Sequence, residues 1–294
     1  MIEVSEEIRA ALADGGSVVA LETTLVAHGF PPGEGVAVGL ASEAAVRAAG
    51  SVPATVGVLD GVVHVGLSEE QLRRFTVEAR KLGARDLGVA VAQRALGATT
   101  VGGTLAVARA VGIRFMGTGG LGGVHRGWAE VPDVSADLGE LARTQVLVAS
   151  SGVKSLLDVP ATAELLETLG VPLLGYGVDT LPLFYTAAGG PPVSARVDSP
   201  EEAAAVAEAH WQLGGHGLLV GRPPTESLDD VEPLIREALG RAEEAGVRGG
   251  GVTPFVLSYL HEHSGGETQR VNRDLIVENA GLAGAIAAVT RSAR

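Results

Sequence analysis

Apolar and polar positions alternate along the chain in two periods. A polar–apolar helical period over 5–13, with Ser5 at its cap, is followed by an unbroken apolar run over 18–22 that ends in Glu22. Such a run predicts a strand buried on both faces. After a Gly/Pro turn at 29–33 an Ala-rich helix is predicted to about 49. Two strands over 54–60 and 62–65, divided by Gly61, predict a hairpin. Ser68 is placed to cap another helix.

Beyond it a helix over 99–111 and a strand over 113–116 run into the glycine-rich segment 117–123. A helix over 135–143, a strand over 145–149, a helix over 160–169 and a strand over 171–176 continue the alternation. Helices over 199–213, 226–245, 254–263 and 271–291, with one strand over 217–220, complete it. Strands alternating with helices predict an α/β fold, a sheet covered on both faces, in one domain spanning 1–294.

Composition narrows the function classes. The 46% hydrophobic content and mean hydropathy of +0.28 belong to a folded chain. No apolar stretch reaches the eighteen or so residues of a spanning helix. The acidic start lacks the basic residues of an export or organelle signal, so a cytoplasmic location is expected. Zero cysteines exclude disulfide scaffolds and thiol catalysis. With 22 basic against 35 acidic residues the net charge is −13, which argues against nucleic acid or an anionic membrane as partner.

Two scarcities point to chemistry. The chain has two lysines, Lys81 and Lys154, among 22 basic residues, and two asparagines, Asn272 and Asn279. Where arginine replaces lysine wherever a cation suffices, the surviving lysines mark positions that need an amine: a point-charge phosphate contact or a nucleophile.

Lys154 follows a predicted strand, Glu22 closes another, and the glycine segment follows a third. Ligands of open α/β sheets bind at such carboxyl ends. Gly117–Gly122 has the spacing of a dinucleotide fingerprint, which would make the chain a nicotinamide-dependent oxidoreductase. That fingerprint must open a helix, and no helical period begins before 135. A glycine-lined anion cradle is the alternative, and an ordinary turn a third. Asp133 and Asp137 read either as helix capping or as a hard divalent-cation site using one carboxylate and water. Asn279, in an otherwise apolar helix, reads as a ligand contact or as a packed amide.

These same residues carry a resemblance. Ala20-Leu-Glu-Thr-Thr-Leu-Val-Ala-His-Gly29, Lys81-Leu-Gly-Ala-Arg-Asp-Leu87, Gly119-Gly-Leu-Gly-Gly-Val-His-Arg-Gly127, Asp133-Val-Ser-Ala-Asp-Leu138, Gly152-Val-Lys-Ser-Leu-Leu-Asp158 and Asn279-Ala280 resemble the pseudouridine-5′-phosphate glycosidase family, also called indigoidine-synthase-A-like. The likeness runs nearly end to end. It implies a three-layer α/β/α sandwich with a mixed central sheet, assembly as a homotrimer, and one Mn2+ per subunit. It also implies a lyase that reversibly splits the C–C glycosidic bond of pseudouridine 5′-phosphate into uracil and ribose 5-phosphate.

By the same resemblance Lys154 is the nucleophile, resolving through a Schiff base, and Glu22 the acid. Asp133 matches the metal ligand. Lys81, Val101, Ser135, Ala136 and Asp137 match substrate-binding positions, with Lys81 on the phosphate side, and Asn279 a uracil contact. Four positions depart from the family pattern: Thr23 stands for serine, Gly83-Ala84 for a Ser-Arg pair, and Glu278 for an asparagine. The competing reading outside enzymes is a non-catalytic ribose-phosphate-binding protein.

Overall fold

The computed structural model describes residues 1–228 and 230–292; position 229, inside the predicted helix 226–245, lies outside them. In chain order the strands are β1 (Ile2–Val4), β2 (Val18–Glu22), β3 (Val52–Leu59), β4 (Val62–Val65), β5 (Arg80–Leu82) and β6 (Gly97–Thr99). They continue as β7 (Phe115–Gly117), β8 (Leu147–Ser150), β9 (Leu173–Tyr176), β10 (Ala195–Val197) and β11 (Leu218–Gly221). All join one sheet in the order β1-β4-β3-β2-β7-β8-β11-β9-β10, with β5 and β6 reached through β3. The β3–β4 and β3–β6 pairs are antiparallel and the remaining pairs parallel, so the sheet is mixed.

The predicted hairpin is β3–β4, turned by Asp60 (φ 53°) and Gly61 (φ 84°). Two successive positive φ values give the tight turn whose twist matches the flanking strands. The sheet is packed on both faces because its central strands alternate. On β2, Val18 and Ala20 join one apolar cluster while Val19 and Leu21 join another. The second cluster lies under the helices Glu34–Ala48, Pro200–Gln212 and Glu267–Ser292, through Val46, Trp211 and Ile286. The first lies under the helices Val101–Val111, Ala136–Leu141 and Val159–Thr168, through Leu105, Leu138 and Leu166. Helices on both faces of a mixed sheet make the three-layer sandwich that the resemblance implies. Among the described residues no helix is long and apolar enough to cross a membrane.

Topology then sets the location of the site. From β2 the chain winds outward to β3 and β4, then crosses back to place β7 and β8 on the other side of β2. The reversal makes β2/β7 a switch point, where a crevice opens at the carboxyl ends of the strands.

Candidate active site

Three adjacent parallel strands deliver the central residues. Leu21 on β2 is in register with Gly117 on β7, and Gly117 with Ala149 on β8. The residues just beyond these positions are Glu22, Thr118 and the turn leading to Lys154, brought together by strands about 4.8 Å apart. A cavity at this end is lined by Glu22, Lys81, Thr118, Gly119, Gly120 and Lys154, and further by His28, Phe184, Leu257, Asn272 and Ile276.

Glu22 is buried and accepts a 2.5 Å hydrogen bond from the Thr118 hydroxyl. Burial pushes its carboxyl above the ordinary range; the Lys154 charge and the Thr118 bond oppose that push, and Asp137 adds to it. Lys81 reaches the cavity from β5. Burial holds its ammonium below the usual range and the Lys154 charge adds to this, against the pull of Asp137 and Glu22. His28 is also held low by burial, while its Nε2 pairs with the Ala79 carbonyl at 3.0 Å. That pairing fixes Nε2 as the donor of a neutral ring.

Lys154 is half-buried, with its backbone N–H on the Leu121 carbonyl at 3.1 Å. Gly152 (φ 75°) makes the turn that precedes it. The glycine segment packs closely against its neighbours, and part of its backbone is already engaged. The N–H groups of Thr118, Leu121 and Gly122 already bond Ala149 O, Gly152 O and Asp137 Oδ2. A Cβ on Gly120 would sit 2.6 Å from the Phe184 ring and 3.3 Å from Lys154 Cγ, so a bare backbone lets the lysine stem lie against the loop. The dinucleotide reading does not survive, since the first helix after the loop is Ala136–Leu141.

Asp137 joins the loop to a helix start. Its Oδ1 accepts Gly102 N at 2.7 Å and its Oδ2 accepts Gly122 N at 3.1 Å. This carboxylate, expected at the substrate, is engaged with the backbone on both oxygens. Gly102 follows Val101, the first residue of the helix Val101–Val111, so Asp137 ties the expected Val101 contact to the loop beside Lys154. Ser135 caps the next helix through Asp137 N at 3.2 Å, and Ala136 is exposed. Asp137→Asn substitutes an NH2 for one of the accepting oxygens and leaves a buried N–H facing a donor. We expect a loss of about 1–3 kcal/mol in urea unfolding, together with a raised KM for any phosphorylated ligand.

Asp133 is half-buried, with His125 Nδ1 3.8 Å from its Oδ2. Burial holds His125 low, the Asp133 charge opposes this, and both lysine charges reach the ring. Among the described residues no three His, Asp or Glu side chains converge as a metal cage. A single carboxylate fits a hard cation that keeps most of its water.

Asn279 lies beneath the cavity and does not line it. Its Nδ2 donates to Thr118 O at 2.9 Å, Gly119 O at 3.3 Å and Ser151 Oγ at 3.1 Å, and its Oδ1 is buried without a hydrogen-bond partner. The amide supports the loop, so the packed-amide alternative describes its donors. The departures at 23 and 278 have local accounts. Thr23 Oγ1 donates to Val56 O at 2.8 Å and accepts Thr99 N at 2.9 Å, a pairing that serine also makes. Glu278 pairs with Arg222 and accepts the Thr225 hydroxyl. Thr118, His28 and Asn272 were not marked as site residues by sequence pattern.

The family described as indigoidine synthase A like protein matches residues 7–289. A pseudouridine-5′-phosphate glycosidase of Herpetosiphon aurantiacus is 47% identical over 291 residues, covering 97% of this chain and 96% of the relative. One from Streptomyces griseus is 47% identical over 299 residues, covering 99% and 93%. Among solved structures, the prealnumycin C-glycosynthase AlnA in complex with ribulose 5-phosphate superposes with a TM-score of 0.90 at 40% identity, covering 100% of this chain and 98% of that one. An indigoidine synthase A-like protein of Thermotoga maritima gives 0.89 at 36% identity, covering 99% and 97%.

Proposed function

The chain belongs to the indigoidine synthase A like protein family, and from that premise we propose that it is a pseudouridine-5′-phosphate glycosidase, an enzyme that cleaves the C–C bond joining uracil to ribose 5-phosphate. The observation that supports this reading most is the meeting of Glu22 and Lys154 in one cavity at adjacent strand ends. The relatives' names supply the substrate, and the cavity supplies groups suited to it. A non-catalytic binding protein has no need for a buried carboxyl beside an amine.

A C-glycoside has no heteroatom leaving group, so protonating a bridging oxygen, as ordinary glycosidases do, achieves nothing. In the proposed reaction the Lys154 amine bonds to C1′ as the C1′–O4′ bond breaks, and O4′ takes the proton held by Glu22. The nitrogen lone pair then forms C1′=N while the C1′–C5 electron pair returns to the base carbon, which takes a proton. Uracil leaves, and water hydrolyses the imine to free ribose 5-phosphate and Lys154. An arginine cannot take the first step because its guanidinium stays protonated.

Lys81, the start of the helix Val101–Val111 and the Ser135–Asp137 segment are assigned to the sugar-phosphate end. Asp133 would hold Mn2+ there through one carboxylate. When bound, the ion supplies charge neutralisation at the phosphate-bearing substrate. The proposed assembly is a homotrimer. The test is incubation with pseudouridine 5′-phosphate and Mn2+: free uracil and ribose 5-phosphate in equal amounts are expected, and an unchanged nucleotide contradicts the reading.

A further inference from the structure

We propose that Arg126 is a positioning residue for the reaction above: its guanidinium fixes the turn that carries Lys154. The inference rests on that reaction, in which Lys154 is the nucleophile. Lys154 stands outside any helix or strand, beyond the end of β8. Its N–H bonds the Leu121 carbonyl at 3.1 Å and its carbonyl accepts the Leu157 N–H at 3.0 Å, which closes a turn over 154–157. A turn has no ladder of its own, so the Ser155 and Leu157 carbonyls need donors from elsewhere.

Arg126 supplies those donors. Its Nη2 donates to Ser155 O at 2.8 Å and its Nε to Leu157 O at 3.4 Å. The same fork grips Glu232 on the helix Val231–Glu244, with Nη1 on Oε1 at 2.8 Å and Nη2 on Oε2 at 3.1 Å. Arg236, one turn along that helix, also donates to Glu232 Oε1, at 2.9 Å. The Arg126 bond holds the Glu232 carboxyl below the usual range against its partial burial, and Arg236 adds to this. A guanidinium fork meets two carbonyls and a carboxylate at once, whereas a lysine ammonium is a point charge.

The space around the turn shows why the fork matters. Arg126, Ser155, Leu157 and Glu232 line a second cavity of about 460 Å³. The turn is therefore not packed solid on that side, and the guanidinium spans the open space to the helix. Arg126 is not among the residues that line the cavity of Glu22 and Lys154, so it acts through the turn. It lies in the segment 119–127, whose Gly120 faces the Lys154 stem. One segment thus holds the lysine at its stem and at its turn. The Arg126 and Glu232 side chains are 34% and 40% exposed, where an ion pair contributes little to stability. Its larger effect is on where the turn sits.

The experiment measures turnover of pseudouridine 5′-phosphate and the rate at which ribose 5-phosphate forms a borohydride-trapped adduct. Arg126→Lys keeps the charge and loses the fork. Its kcat and adduct rate are expected to fall ~10- to 100-fold, as a small misplacement of a reacting group costs. Its KM is expected to stay within ~3-fold of wild type, with Tm little changed. Arg126→Ala is expected to fall at least as far and to regain ~10-fold or more in turnover with guanidinium chloride well below denaturing concentration. Methylammonium at the same concentration is expected to restore nothing. Glu232→Gln weakens the anchor and is expected to lose less; combined with Arg126→Ala it is expected to cost nothing further, because both act on one contact.

An unaltered kcat and adduct rate in Arg126→Lys overturns the assignment. A raised KM at unchanged kcat overturns it too, since that would place Arg126 in substrate binding. Absence of rescue by guanidinium, with or without a lowered Tm, leaves Arg126 a structural role only, and fully additive losses in the double variant separate it from Glu232. Failure of wild-type enzyme to form the adduct overturns the reaction itself and the inference with it, and that control tells the two failures apart.

Discussion

Lys154→Arg is expected to lower turnover of pseudouridine 5′-phosphate by roughly 10³-fold or more, as removal of a covalent nucleophile does. The charge is retained, so the electrostatic surroundings of Glu22 and Lys81, both of which feel Lys154, change little. Gly120 holds the loop close to the lysine stem, and an arginine stem follows the same first carbons. The variant therefore separates an amine requirement from a cation requirement. Circular dichroism and thermal unfolding close to wild type, with activity lost, is the expected pair of results. Activity within a few-fold of wild type would mean that Lys154 acts only as a charge.

Glu22→Gln is expected to lower kcat by about 10²–10⁴-fold, the range for a removed general acid, and to change the pH behaviour of both rate and stability. Burial raises the Glu22 carboxyl above 4.5 in the folded protein. The acid form persists to higher pH than an exposed carboxylate would allow, and the wild-type rate falls as pH rises through the raised value. Stability moves the same way. Between 4.5 and the raised value the folded state holds the proton that the unfolded chain has released, so stability declines as pH rises across that window and the full penalty remains above it. Glutamine carries no such charge. Its variant is expected to gain Tm over wild type at pH 8 and to lose that advantage near pH 4, measured by thermal unfolding across pH.

Much of this arrangement is legible in the sequence, for identifiable reasons. The central strands β2, β8 and β11 are Val/Leu/Ala runs buried on both faces, and such runs stand out from their helical neighbours. Strands β1, β5, β6 and β10 have three residues each, too short to show a period. They are formed by pairing with longer strands, and Lys81 enters the cavity on one of them. The short helix Thr24–His28 also escaped the pattern, since Val26 and Ala27 are buried without a repeating face.

Within the site, Glu22 was legible because it ends an apolar run, and Lys154 because it lies just beyond one and lysine is rare here. Thr118 and His28 were not, because their contacts cross distant segments, such as the Thr118–Glu22 bond spanning 96 positions. The carboxylate of Asp137 and the amide of Asn279 were legible as unusual residues. Which groups they serve depended on the backbone atoms that folding presents to them.

The proposed reaction requires the Lys154 amine to bond to the sugar carbon. Borohydride reduction of the protein with ribose 5-phosphate, followed by intact mass and peptide mapping, tests it most directly. A single stable adduct carried by Lys154 is the expected result. An adduct on Lys81, or none with Mn2+ present and ribose 5-phosphate bound, would contradict it.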